Sequence, residues 1–136
     1  MPPLKTYDLF ISHSWKYNDD YYRLINLLSK ANNFTYRNYS VPMHDSLDTA
    51  TDKELYAALD RQIKPVNIVI ILAGMYSHYS KWIEKEIELA QSYKKPIIAI
   101  KPSGQEMTPL KVTLISKTVV SWNTDSIVQA IRTYSL

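Results

Sequence analysis

Along the chain, short apolar runs alternate with stretches whose apolar residues recur at helical spacing. Tyr7-Asp8-Leu9-Phe10-Ile11 reads as a short, mostly buried strand. Tyr17, Tyr21, Leu24, Ile25 and Leu28 then repeat at i, i+4, i+7, i+8 and i+11, one face of a helix. Residues 34–41 are rich in aromatic and β-branched side chains and predict a second strand, stopped by Pro42. Thr51-Asp52-Lys53-Glu54 has the spacing of a capping box. It opens a helix with the apolar face Leu55, Ala58, Leu59 and Ile63, which Pro65 closes. Residues 66–73 are apolar almost throughout, the pattern of a strand covered on both faces. A loop over 74–80, a helix over 81–94 and a fourth strand over 96–101 follow. Residues 102–118 carry no clear period, since Pro102, Gly104 and Pro109 break them. Val119-Val120 predicts a short fifth strand, and 124–134 a last helix with Ile127, Val128, Ala130 and Ile131 facing inward.

Strand–helix alternation at this spacing predicts an α/β fold: a single doubly wound parallel sheet of five strands, in the flavodoxin-like order 2-1-3-4-5. The whole of 1–136 is expected to be one domain. In such sheets ligands bind beyond the carboxyl ends of the strands, where the strand order reverses. The loops after strands one, two and three are therefore the places to look for chemistry.

Composition narrows the function. At 46% hydrophobic and 21% charged residues, the chain matches soluble globular proteins, which excludes disorder. No apolar run approaches the roughly 18 residues that span a bilayer. The start, Met1-Pro2-Pro3-Leu4-Lys5, is unlike a signal peptide, and a cytoplasmic location is expected. The absence of cysteine removes disulfides, thiolate catalysis and cysteine-bound zinc. Two glycines, Gly74 and Gly104, cannot write either GxGxxG or GxxxxGK[ST], so a standard dinucleotide fold and a P-loop NTPase are excluded. A net charge of +3 with scattered cations gives no reason to expect nucleic-acid or membrane binding.

The loops themselves are informative. The three histidines, His13, His44 and His78, each sit just past one of the first three strands. Beside them stand Ser12, Ser14, Trp15, Asp45, Tyr76, Ser77, Tyr79 and Ser80. Loops are polar in any protein, but three imidazoles on one sheet edge with aromatic neighbours favour a binding site. No HxxxH-type spacing supports a metal, and none is expected.

A second signal is a charge on an apolar face. At about 100° per residue, Leu89, Trp82, Tyr93, Ala90, Ile83 and Ile87 share one arc of about 160°. Glu86 falls inside that arc, in the second turn of the predicted helix, below the loop bearing Ser77 and His78. A carboxylate there needs a cationic partner, a place at the rim of the arc, or a solvent-filled cleft. The last alternative makes it a site candidate.

These segments together resemble a known family. Tyr7-Asp8-Leu9-Phe10-Ile11-Ser12-His13-Ser14 is similar to the first box of TIR (Toll/interleukin-1 receptor) domains. Trp82-Ile83-Glu84-Lys85-Glu86 resembles the segment in which a tryptophan precedes by four residues the glutamate that enzymatic TIR domains use to split NAD. Asn38-Tyr39-Ser40-Val41-Pro42, the run from Lys95 to Pro102, and Ser121-Trp122-Asn123-Thr124 resemble a prokaryotic TIR-like branch that includes Thoeris antiphage proteins. There are departures: no glycine follows Pro42, Ser14-Trp15 stands where an arginine is often found, and the terminal Phe-Trp pair of receptor domains is absent. They leave open which residues meet the adenine end of NAD.

The resemblance implies an NAD-cleaving enzyme of antiphage defence, with NAD as substrate and no cofactor. It further implies a homo-oligomer on activation and a separate effector protein that reads a nucleotide signal. The product would be ADP-ribose, cyclised ADP-ribose or ADP-ribose joined to an acceptor. Glu86 would be the catalytic residue, and Ser12, His13, Ser14, Trp15, His44, Asp45, Tyr76, Ser77 and Trp82 the substrate-binding set. One carboxylate suits this chemistry. Nicotinamide leaves as a neutral molecule, so no general acid is needed, and an anion beside the ribose stabilises the oxocarbenium-like transition state. The alternative is a non-catalytic TIR-like interaction module in which Glu86 serves structure alone. A receiver domain is excluded because Ser12-His13-Ser14 and Gly74-Met75-Tyr76 stand where it needs acids and a phosphorylatable aspartate. A flavin site is disfavoured by the poor phosphate loop at Ser12-His13-Ser14-Trp15-Lys16.

Overall fold

Five parallel strands form one sheet in the order β2-β1-β3-β4-β5, as the alternation predicts. The computed structural model describes residues 5–12, 18–39, 52–102 and 107–136, with side chains at 18, 52–55 and 75–82 outside that description. The strands are β1 (Thr6–Ile11), β2 (Thr35–Asn38), β3 (Ile68–Leu72), β4 (Ile97–Ile100) and β5 (Val119–Val120). The helices are α1 (Asn18–Ser29), α2 (Asp52–Ile63), α3 (Tyr76–Ser92), α4 (Leu110–Ile115) and α5 (Thr124–Tyr134). Thr51 of the expected capping box lies outside the described residues.

β3 is the centre of the sheet, and all five of its residues are buried. Its register joins Phe10 to Val69 on one side and Ile70 to Ile98 on the other. Continuous burial explains why this segment is apolar without alternation: helices cover both faces. α1 packs on α5 and α2 on α3, the pairing of a doubly wound sheet. Leu24 and Leu28 of α1, Leu59 and Ile63 of α2, Ile83, Ile87 and Ala90 of α3, and Ile127 and Ile131 of α5 are the buried positions facing it.

Local chemistry sets the helix ends. Asn123 is extended at the N-cap of α5, and its side chain accepts from the Ser126 backbone N–H at 3.0 Å. α3 ends in a Schellman arrangement. The Lys94 N–H donates to Gln91 O at 3.0 Å and the Lys95 N–H to Ala90 O at 2.8 Å, with Lys94 left-handed at φ 56°. Glycine is the usual residue there because it has no Cβ to clash. Lys94→Gly should therefore raise the urea midpoint, by about 0.5–1 kcal/mol of stability; a lower midpoint would mean that the lysine makes compensating contacts.

Beside that end, the Tyr93 hydroxyl donates to Asp60 Oδ1 at 2.5 Å and ties α3 to α2. This hydrogen bond, then burial, then nearby negative charge hold the phenol above its ordinary value of 10.0. The folded group keeps its proton longer than the unfolded one. Its contribution is thus complete below pH 10 and is lost as pH rises through the folded pKa. The difference in 295 nm titration between the wild type and Tyr93→Phe should show a phenol ionising above pH 10; one ionising at or below it would contradict this account.

Two boundaries differ from expectation. The helix predicted over 81–94 starts at Tyr76, because Ala73–Met75 forms a 3-10 turn that feeds it directly in place of a loop. The aperiodic stretch 102–118 contains α4, whose Val112 alone is buried in the helix. Leu110 and Leu114 remain exposed, so no apolar stripe marks it.

Candidate functional site

The carboxyl ends of β1, β3 and β4 share one edge of the sheet, and the strand order reverses between β1 and β3. Ser12 sits at that reversal. Its backbone N–H donates to Ile70 O at 2.9 Å, extending the ladder by one step. The residue is fully buried, and its Oγ has no hydrogen-bond partner among the described residues. An unsatisfied buried hydroxyl is costly and marks a place suited to a ligand or water.

Gly74 lies two residues past β3 and closes the same edge. A Cβ built on it would stand 3.5 Å from Asp20 Oδ2 and 3.5 Å from Pro102 Cα. The Asp20 carboxylate thus extends from the first turn of α1 to Gly74, just past the end of β3. The sequence reading missed Asp20, although a signal was present. Asp20, Leu24 and Leu28 follow one another at i, i+4 and i+8, which puts the acid at the top of the buried stripe of α1.

Glu86 is fully buried, and with Ser12 it makes up the buried polar set among the described residues. Ile83, Ile87 and Ala90 are buried on the same helix, so the phase argument that put Glu86 within the apolar arc holds. Its depth differs from expectation. Because α3 begins at Tyr76, Glu86 falls in the third turn, roughly 15 Å along the axis from the helix start. It has no exposed surface in place of a solvent-filled cleft.

Ser77 and His78 stand in the first turn of α3 instead of a loop, and Tyr76 and Trp82 lie on the same helix. The side chains of these four residues are outside the described part. His13, Ser14, Trp15, His44 and Asp45 lie wholly outside the described residues. Of the expected site, the structure therefore locates the side chains of Ser12 at the edge and Glu86 in the third turn of α3, and shows Asp20 beside Gly74.

A cavity of about 400 Å³ lies at the opposite, amino edge, lined by Gln91, Lys94, Lys95, Ile97, Lys117 and Tyr134 among others. Lys94 and Lys95 stand just past the end of α3 and Lys117 just past the end of α4, where cations complement the partial negative charge of the carbonyl ends. No helix among the described residues is long and apolar enough to cross a membrane.

A 3-dehydroquinate dehydratase-like protein from Bifidobacterium longum is similar over 94% of both chains, with a TM-score of 0.51 and 8% identity, which shows the fold alone. Type II dehydroquinase from Propionibacterium acnes aligns over 93% of this chain and 96% of its own, with a TM-score of 0.47 and 12% identity. No curated protein sequence matches the chain. The family described as Thoeris protein ThsB, TIR-like domain, matches residues 10–107, a span that runs from the end of β1 past β4 and holds Asp20 and Glu86. The chain belongs to this family of TIR-like domains of the Thoeris protein ThsB.

Proposed function

We propose that the chain is a TIR-type NAD-cleaving enzyme of Thoeris antiphage defence, with Glu86 as its catalytic carboxylate. The observation that carries the reading is Glu86 itself, a charged side chain fully buried on the core-facing side of α3 in a member of this family. Burying a carboxylate costs several kcal/mol relative to an apolar residue of similar size. A function that needs the charge accounts for its retention.

In the proposed reaction the bond between ribose C1′ and the nicotinamide nitrogen breaks, and the electron pair leaves with neutral nicotinamide. Glu86 faces the cationic sugar carbon, and water or another hydroxyl or amine nucleophile completes the transfer. Substrate cannot reach Glu86 in the form described, where it has no exposed surface. The reading therefore includes an opening step, coupled to assembly of several copies. It also includes a cytoplasmic setting and a separate effector that responds to the ADP-ribose-based product.

The same burial favours a second reading, a non-catalytic module in which Glu86 only organises the core. The two separate in one experiment. Cells carrying the full chain or Glu86→Gln are infected with phage, and free nicotinamide and NAD are measured over time. The enzyme reading expects NAD loss and nicotinamide release with the wild type alone. Equal NAD levels in both, with both chains folded and protective, would leave the module.

A further inference from the structure

We infer that Asp20 is a substrate-positioning residue, its carboxylate accepting hydrogen bonds from the vicinal hydroxyls of a ribose held at the carboxyl edge between β1 and β3. This rests on the NAD reading for the identity of the ligand, and on separate geometry for the site. A first-turn acid can serve merely to complement the positive end of a helix. Asp19, exposed on the same turn, already meets that need from the surface. Asp20 is instead half-buried and turned onto the sheet edge, within 3.5 Å of the point where residue 74 would carry a Cβ.

Two further features mark that edge as built to receive something. Gly74 is not in the left-handed region, so conformation does not demand glycine; a Cβ there would stand in ordinary contact with the carboxylate and Pro102, so a larger, branched side chain would crowd the acid. Ser12 Oγ is buried at the same reversal with no hydrogen-bond partner among the described residues, a donor and acceptor suited to a sugar or phosphate oxygen. A carboxylate is an acceptor that matches the hydroxyl donors of a ribose, and ligands of doubly wound sheets bind at this crevice.

The test uses ADP-ribose as the probe, because it carries the ribose diols without requiring cleavage. Binding is measured by calorimetry on the full chain in its activated, assembled form, recovered from phage-infected cells, for the wild type, Asp20→Asn, Asp20→Glu and Gly74→Val. Melting temperatures and nicotinamide release from NAD are measured beside it. Asp20→Asn should weaken ADP-ribose about tenfold or more at an unchanged melting temperature. It should raise KM for NAD more than it lowers kcat, and Asp20→Glu should recover part of the loss. Gly74→Val, which keeps the acid and crowds it, should weaken binding as well, and it serves if the Asn variant does not fold. Unchanged binding in folded Asp20→Asn and Gly74→Val overturns the inference even where nicotinamide release persists. Wild type that binds ADP-ribose through Asp20 but releases no nicotinamide keeps the inference and ends the catalytic reading. Wild type that neither binds nor cleaves overturns both.

Discussion

Glu86→Gln should lower nicotinamide release from NAD by about 10²–10³-fold in the activated protein while leaving the chain folded. The amide has the size and shape of the acid, so the packing around it beside Ile83, Ile87 and Ala90 is kept. On the proposed reading, what is lost is the negative charge facing the sugar carbon as nicotinamide departs. In a site closed to water that charge acts through a low dielectric, which is why its removal is expected to be so costly. The fall should appear in kcat, because the cation forms only in the transition state. A Glu86→Gln chain that releases nicotinamide within a few-fold of the wild type would end the assignment of Glu86, whatever its effect on stability.

The largest expected loss of stability comes from Phe10→Ala. Phe10 is fully buried near the carboxyl end of β1, in register with Val69 of β3, and β1 itself is flanked by β2 and β3. Emptying so large a volume at the centre of the sheet should cost about 3–5 kcal/mol. That is a large part of the ~5–15 kcal/mol that holds a domain of this kind together, and the melting temperature should fall by about 10 °C or more. Leu110→Ala, at 71% exposure on α4, is the control and should change stability by less than about 0.5 kcal/mol. Comparable losses from the two would mean that Phe10 is not in the core.

Much of the architecture was legible in the chain because burial writes itself as period. β3 reads as a strand because every residue in it is buried, and α5 because Ile127, Val128, Ala130 and Ile131 repeat on one face. α4 was not legible, since a six-residue helix with one buried side chain leaves no stripe. The start of α3 was missed for a related reason. Gly74 and the polar run to Ser80 look like a loop, yet they follow a 3-10 turn straight into the helix.

The candidate site divides in the same way. The sequence alone determined the sheet order and the misplaced charge of Glu86, because each is a matter of spacing along the chain. Only the tertiary structure decided how deep Glu86 sits, that Ser12 Oγ is enclosed, and that Asp20 and Pro102 both come close to Gly74. Depth and contact depend on where separate elements begin and how they pack across the sheet. Residues far apart in the chain carry no shared period that would announce such a meeting.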